Sequence, residues 1–290
     1  MSATILSKEN GPPSSRPALS VVLITHNAAP LLERTLAAVS WADELLVVDS
    51  GSTDHTRELA TRLGATVLLQ PEWKGFGFQK NFALAHANGV WILVLDADEV
   101  VDPVLATEIQ RVTRTLGETT GYTVERVNYF CGVRLRFGGS RPVHIPRLFQ
   151  NGRGVVSEDV VHEHVIIDGP VGRLKGALHH YTTDSVTARV RKDDEYSNII
   201  ARVRFQAGRR VSFWRLLFIM PAVVFRDLFL RLGILDGKTG IIVAAIAAFY
   251  AFSKYAKLWE LQQREAKGKT MVMSESTTPP AERRVSESAP

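Results

Sequence analysis

A chain of 290 residues can bury one large core, or one domain with an appendage. Its 35 basic and 30 acidic residues leave a net charge of +5, and the single cysteine, Cys131, excludes an internal disulfide framework and suits a reducing compartment. Residues 1–18 hold Pro12, Pro13, Ser14, Ser15 and Pro17 without the apolar run of a signal peptide, so they read as a flexible lead.

From residue 19 the chain alternates between two periodicities. Ser20-Val21-Val22-Leu23-Ile24 is a strand ending in Thr25-His26-Asn27. Pro30 then opens a helix with apolar positions Leu31, Leu32, Leu36 and Val39. A second strand, Glu44 to Val48, runs into Asp49-Ser50-Gly51-Ser52-Thr53-Asp54, and a helix from Asp54 to Leu63 stops at Gly64. Val67-Leu68-Leu69 leads to a helix from Phe78 to His86, and the run Val90 to Leu95 delivers Asp96 and Asp98. Asp102-Pro103 opens a further helix toward Leu116-Gly117, with Asp102 as its N-cap. This β-α alternation over residues 19–117 predicts a mainly parallel α/β sheet. Open sheets of that kind bind ligands beyond the carboxyl ends of their strands. The polar clusters at Thr25–Asn27, Asp49–Asp54 and Asp96–Asp98 should therefore converge on one edge.

Asp96 and Asp98 repel each other, and burying a charge is costly unless something pairs with it. A divalent cation held against a phosphate ligand is one such partner, because hard cations take oxygen ligands. A solvated acidic turn is the alternative. Phosphotransferases of the haloacid dehalogenase kind also place DxD after a strand, but they follow it with threonine where Val100 stands here.

Residues 118–200 read as short strands (Tyr122-Thr123-Val124, Pro146 to Phe149, Val160 to Ile167) punctuated by Gly132, Gly138, Gly139, Gly152 and Gly154. Arg141, His144 and Arg147 either meet an anionic group or are surface charges. In the string SEDVVHEHV, a continuous strand would put His162 and His164 on the face opposite Glu163, which argues against a metal site made of all three. His179-His180 likewise reads as strand surface. Glu163 is either a reactive carboxylate or a cross-strand ion-pair partner.

The last third differs in kind. Between Arg202 and Arg231 seven arginines face one acid, Asp227, so the basicity of the chain is local. Phe213, Trp214, Leu216, Leu217, Phe218, Ile219 and Met220 are interleaved with it, the composition of an interfacial membrane segment. No nucleic-acid-binding motif accompanies the patch, so nucleic acid is not expected as a partner. Thr239 to Ser253 gives 15 uncharged residues, fewer than the roughly 20 of a spanning helix. With Pro221 and Asp236-Gly237 as breaks, residues 201–267 read as two in-plane or shallow re-entrant helices, with a buried helix pair as the soluble alternative. Residues 268–290, rich in Ser, Thr, Glu and Pro, read as a disordered tail.

The strings SVVLITHNAAPLLERTLAAV, LLVVDSGSTDHT and GFGFQKNFALAHANGVWILVLDADE resemble, in order and spacing, the nucleotide-binding half of a family 2 glycosyltransferase with the GT-A fold. VVHEHV and ILDGKTGIIVAAIAAFYAFSKYAKLWE further resemble the lipopolysaccharide core glucosyltransferases acting on inner-core heptose, the WaaE/KdtX-like branch. The resemblance implies a nucleotide-sugar half over 19–117, an acceptor half over 118–200 and a membrane-associated helical region after it. Thr25 and Asp49 would contact uracil or ribose, with Asn27, Ser50 and Asp54 at the same strand ends and Lys80 or Asn81 near the nucleotide. For Asp49 the competing role is that of a turn former before Gly51, and for Lys80 a solvated helix face. Asp98, with Asp96 beside it, would hold Mg²⁺ or Mn²⁺ against the diphosphate. Glu163, or failing it Asp159, would be the base that takes the acceptor hydroxyl's proton. His26 departs from the aromatic residue common in such enzymes.

Together these imply an inverting transferase at the cytoplasmic face of a bacterial inner membrane, peripheral or monotopic. It would move a sugar, glucose from UDP-glucose, to a heptose of the lipid A–core oligosaccharide. Transfer to a polyprenyl phosphate is the runner-up. A non-catalytic membrane adaptor would have damaged acidic motifs, yet Asp49, Asp96 and Asp98 all stand.

Overall fold

The computed structural model describes residues 17–158, 163–183 and 185–266. In chain order its first elements are β1 (Leu19–Thr25), α1 (Ala29–Ala37), β2 (Glu44–Asp49), α2 (Thr56–Arg62), β3 (Thr66–Leu69), α3 (Phe76–His86) and β4 (Trp91–Asp96). They continue through β5 (Glu99–Val101), α4 (Pro103–Thr113), β6 (Gly121–Phe130), β7 (Val133–Arg134), β8 (Val143–Gln150), β9 (Gly154–Val156), β10 (Val165–Ile167) and β11 (Val171–Thr183). Three helices follow: α5 (Val186–Gln206), α6 (Phe213–Phe225) and α7 (Gly237–Ala266).

The main sheet has the order β3-β2-β1-β4-β8-β6-β11-β5. β1 lies parallel between β2 and β4, and the register pairs Thr25 with Asp49 and Ile24 with Asp96. That register puts the polar ends of three strands level on one edge. β8 runs antiparallel to β4 and β6, so the sheet changes from parallel to mixed beyond β4. The apolar runs are unbroken because both faces of the sheet are covered: Val21, Leu23, Val47 and Leu93 pack in one core, Val22, Val48, Ile92 and Val94 in the other.

Several boundaries differ from the sequence reading. α2 begins at Thr56, because Asp54 Oδ1 accepts the Thr56 backbone N–H at 3.0 Å and stays outside the helix. α3 begins at Phe76, immediately after Gly75 at φ 109°. Asp102 does cap α4, Oδ1 accepting the Leu105 N–H at 2.6 Å, but that helix stops at Thr113. Of the strand expected over Val160–Ile167, the described residues show β10, Val165–Ile167, paired antiparallel with β9, while 160–162 lie outside them. Glu163 and His164 precede β10 in the loop that joins it to β9, so strand alternation does not set their faces. Asp159, His162, most of the 1–18 lead and the 268–290 tail fall outside the described residues.

The chain divides into two compact units. Among the described residues, one runs to Arg126 and takes in Val143–His180; it contains the sheet edge just described. The other comprises Val127–Pro142 and the chain from Tyr181 onward. In this second unit α5 starts at Val186, well before the basic stretch, and α7 packs against both α5 and α6. Pro221 lies inside α6 and does not end it; the break comes at a π-helical turn, Arg226–Leu230, and a 3₁₀ turn, Gly233–Asp236. α7 is 30 residues long, about 45 Å, because it continues through the charged residues beyond Ser253.

Candidate active site

At the ends of β1 and β2, Asp49 is completely buried and its carboxylate organises the turn that follows. Oδ1 accepts the N–H groups of Gly51 at 3.1 Å and Ser52 at 2.8 Å, and Oδ2 accepts the Thr25 hydroxyl at 3.0 Å and the Ser52 hydroxyl. Asp49 thus acts as a turn former within the described protein. Asn27, in the left-handed region at φ 49°, clamps the same turn through Oδ1, which accepts the Thr53 N–H at 2.9 Å. Asp54 starts α2; burial would raise its carboxyl, but the hydrogen bonds from Thr56 prevail and lower it. Ser50 Oγ, by contrast, is buried with no hydrogen-bond partner among the described residues, a polar group that a ligand would satisfy.

The end of β4 is an ion network. Asp96 Oδ1 lies 2.7 Å from Lys80 Nζ, and Asp96 Oδ2 lies 2.9 Å from Arg147 Nη2. Arg147 also reaches Glu99 Oε1 at 2.6 Å, while Glu99 Oε2 accepts the Asp96 backbone N–H at 3.1 Å. Lys80 is 4% exposed, so it is no solvated helix position, and its second partner is Glu163 Oε1 at 3.1 Å. Burial alone would raise the Asp96 carboxyl, but Lys80 and Arg147 outweigh it and hold it well below the usual range. Burial likewise lowers Lys80, yet Asp96 and Glu163 bring it above an ordinary lysine. Burial dominates at Glu99 and keeps it above an ordinary glutamate despite Arg147.

Asp98 sits outside this network. Its Oδ2 lies 3.4 Å from His180 Nε2, and the turn carrying it is pinned by the Thr35 hydroxyl, which donates to the Ala97 carbonyl at 2.8 Å. Among the described residues no three His, Cys, Asp or Glu side chains form a complete cation site. Mg²⁺ and Mn²⁺ are commonly held by one or two carboxylates with the remaining ligands from phosphate and water. Asp98 fits that pattern, and His180 beside it adds an imidazole nitrogen. Asp96, expected to share the cation, has both oxygens taken by Lys80 and Arg147, so Asp98 is the better placed carboxylate.

The other expected residues scatter by function. Asn81 is not directed to a ligand: its side chain donates to the Val156 carbonyl at 2.8 Å and accepts the Val156 N–H at 2.9 Å, fastening β9 to α3. Gly77 does the same by proximity, since a Cβ there would fall 2.2 Å from the Ser157 carbonyl oxygen. These two contacts set where the loop bearing Glu163 leaves β9. His144 faces Arg173, with 3.0 Å between Nδ1 and Nη2. Sequence reasoning missed Glu99 and His180 and left Arg147 undecided. The available signal for Glu99 was its position directly after DAD, and for Arg147 an arginine set in the apolar string Ile145 to Phe149. His180 had none, because its neighbour Asp98 comes from a turn distant in sequence.

The model of glycosyl transferase family 2 matches residues 20–167. The lipopolysaccharide core biosynthesis glycosyltransferase LpsC of Rhizobium meliloti (strain 1021) is 30% identical over 256 residues, 86% of this chain and 94% of its own. An uncharacterized glycosyltransferase of Rickettsia bellii (strain RML369-C) is 30% identical over 259 residues, 84% of this chain and 86% of its own. Among solved structures, a mannosyltransferase from Pyrobaculum calidifontis in complex with GDP-Man and Mn²⁺ aligns with 89% of this chain and 78% of its own, at 18% identity and a TM-score of 0.43. The chain belongs to glycosyl transferase family 2. It is a glycosyltransferase with an α/β catalytic fold of the GT-A type.

Proposed function

We propose that this enzyme moves a hexose, glucose from UDP-glucose, onto a heptose of a lipopolysaccharide inner core, with inversion, at the cytoplasmic surface of a bacterial inner membrane. The observation carrying the reading is the level register of Thr25, Asp49 and Asp96 on one sheet edge, with Asp98 and Glu163 on the same unit. The acceptor class is supported by likeness to LpsC along nearly its whole length.

In this reading the nucleoside lies across the ends of β1 and β2, where Ser50 Oγ supplies an unpaired buried hydroxyl. Asp98 and His180 would hold Mg²⁺ or Mn²⁺, and the cation would supply charge stabilisation for the leaving nucleoside diphosphate. Lys80 and Arg147 fix Asp96 and keep the DAD turn rigid. Glu163, paired with Lys80 Nζ at 3.1 Å, accepts the acceptor hydroxyl's proton as that oxygen attacks the anomeric carbon opposite the departing diphosphate. Asp159 remains the second choice of base.

The exposed face of the second unit supports membrane contact. Phe213 and Trp214 are 69% and 65% exposed, and Leu217, Phe218, Phe225 and Phe229 continue the apolar surface. The run Gly233–Glu265 is long and apolar enough, by length and composition, to cross a membrane. We read it as lying on the bilayer.

The test is transfer by purified protein, first with a panel of UDP- and GDP-sugars scored as cation-dependent nucleotide release, then with lipopolysaccharide truncated at the inner core. UDP release that rises with a heptose-terminated acceptor supports the proposal. Transfer to polyprenyl phosphate, with none to the heptose acceptor, would replace it with the runner-up.

A further inference from the structure

Just beyond the end of α5, Gly208 lies in the left-handed region at φ 69° and turns the chain back so that the Arg209 N–H donates to the Arg204 carbonyl at 2.9 Å. Four residues on, Ser212 caps α6, its hydroxyl accepting the Arg215 N–H at 3.3 Å. The two helix ends and the side of α7 enclose a cavity of about 440 Å³ lined by Arg204, Arg209, Arg210, Arg215, Ser212 and Tyr255, together with Leu258. The guanidinium carbons of Arg204 and Arg215 lie 4.8 and 5.4 Å from the centre of the Tyr255 ring. Arg210 is drawn aside by Glu265, with 2.8 Å between Nη1 and Oε2.

Among the described residues no acidic side chain lines this cavity. Four guanidiniums gathered around one void repel each other, and stacking on an aromatic ring offsets only part of that. A second observation points the same way: Arg204 Nη1 is buried with no hydrogen-bond acceptor among the described residues. A buried charged donor left unpaired is costly, and a phosphate oxygen is the acceptor that a planar guanidinium fork fits best. The amino end of α6, the positive end of its dipole, lies at the same place, with Ser212 in the lining. Directly beyond Ser212 come Phe213 and Trp214, then Leu217 and Phe218, all exposed and apolar. A free phosphate would use the arginines and ignore that surface. A phosphate borne by a lipid would use both, with its chains along α6.

We propose that this cavity binds the phosphate of an anionic lipid, and that it is a defined headgroup site within the basic stretch. The inference rests on the reading that this unit meets a membrane. It is independent of the donor chemistry.

The experiment uses the full chain and sedimentation with phosphatidylcholine vesicles, with or without phosphatidic acid. Wild type should prefer the phosphatidic acid vesicles. Arg204→Gln/Arg215→Gln should weaken that binding by about tenfold or more, since each arginine near an anionic surface contributes on the order of 1 kcal/mol. Arg204→Lys/Arg215→Lys keeps the charge and loses the fork, so it should also bind several-fold less tightly than wild type. Arg191→Gln/Arg202→Gln removes the same charge from exposed positions outside the cavity and should lose markedly less. Equal losses in the two glutamine pairs, or a lysine pair indistinguishable from wild type, would overturn the site in favour of diffuse attraction. Inorganic pyrophosphate that binds wild type by calorimetry, while vesicle binding is untouched by Arg204→Gln/Arg215→Gln, would overturn the lipid as its source. UDP-sugar hydrolysis by the same preparations reports separately on the proposed catalytic function, and circular dichroism on folding.

Discussion

Lys80 and Glu163 meet at 3.1 Å, from a helix after the third strand and a hairpin loop after the ninth. The same ammonium lies 2.7 Å from Asp96. One buried cation thus joins the DAD turn to the carboxylate proposed as base.

This link makes Glu163→Gln informative. Loss of a general base typically costs about 10²–10⁴-fold in rate. Glu163→Gln is expected to lose transfer by that order while keeping UDP-sugar binding by calorimetry. Turnover near wild type would remove Glu163 from the role, and the same measurement on Asp159→Asn would show whether the role moves there.

The cation proposal is checked at Asp98 and His180. Asp98→Asn should abolish transfer with the fold intact by circular dichroism, and His180→Ala should raise the Mn²⁺ concentration needed for half-maximal rate. Undiminished turnover in excess EDTA would sink the idea.

Lys80 also bears on stability. Removing one partner from a buried ion cluster typically costs about 3–5 kcal/mol, because the others stay buried and unpaired. Lys80→Met should therefore lower the urea midpoint by a corresponding amount, while Lys74→Met, at an exposed position, should not move it measurably.

The pH dependence has three parts. Asp96 titrates below its ordinary 3.8 in the folded protein, so its contribution is present above that pH and is lost as pH falls through the depressed value. Lys80 is raised above 10.5, so its contribution is complete below that pH and is lost as pH rises through the raised value. Glu99, raised above 4.5, opposes Asp96: its contribution is complete below 4.5 and declines as pH climbs through the raised value. Urea unfolding across the acid range should show a shallower acid loss for Asp96→Asn than for wild type. It should show a steeper one for Glu99→Gln, which removes the opposing contribution. Parallel curves for all three would contradict the assignment.

Gly77→Ala tests the positioning of the loop. With the Ser157 carbonyl oxygen 2.2 Å from the added carbon, the backbone of α3 or of 157–158 must shift, a strain of about 1–3 kcal/mol. Transfer should fall more than UDP binding, since the displaced group is Glu163. A fall in both to the same degree would mean that the strain is absorbed by α3 instead.

Much of this protein was legible in one dimension. The runs Val21–Ile24, Leu45–Val48 and Ile92–Leu95, separated by helical periodicity, determined a parallel sheet, and the polar residues closing each run determined which edge gathers polar side chains. These are local signals: period, capping and composition each act within a few residues. The ion network was decided only by tertiary structure. Lys80 reads as an amphipathic helix position until β4, β8 and the 163 loop close over it, and Arg147 reads as undecided until Glu99 and Asp96 are seen on either side. Asp98 acquires His180 because β11 pairs antiparallel with β5, setting His180 against Glu99. Sequence determines which side chains can carry charge. Burial and long-range pairing decide which charges meet, because electrostatic free energy depends on distance and desolvation, and neither is a property of neighbouring letters.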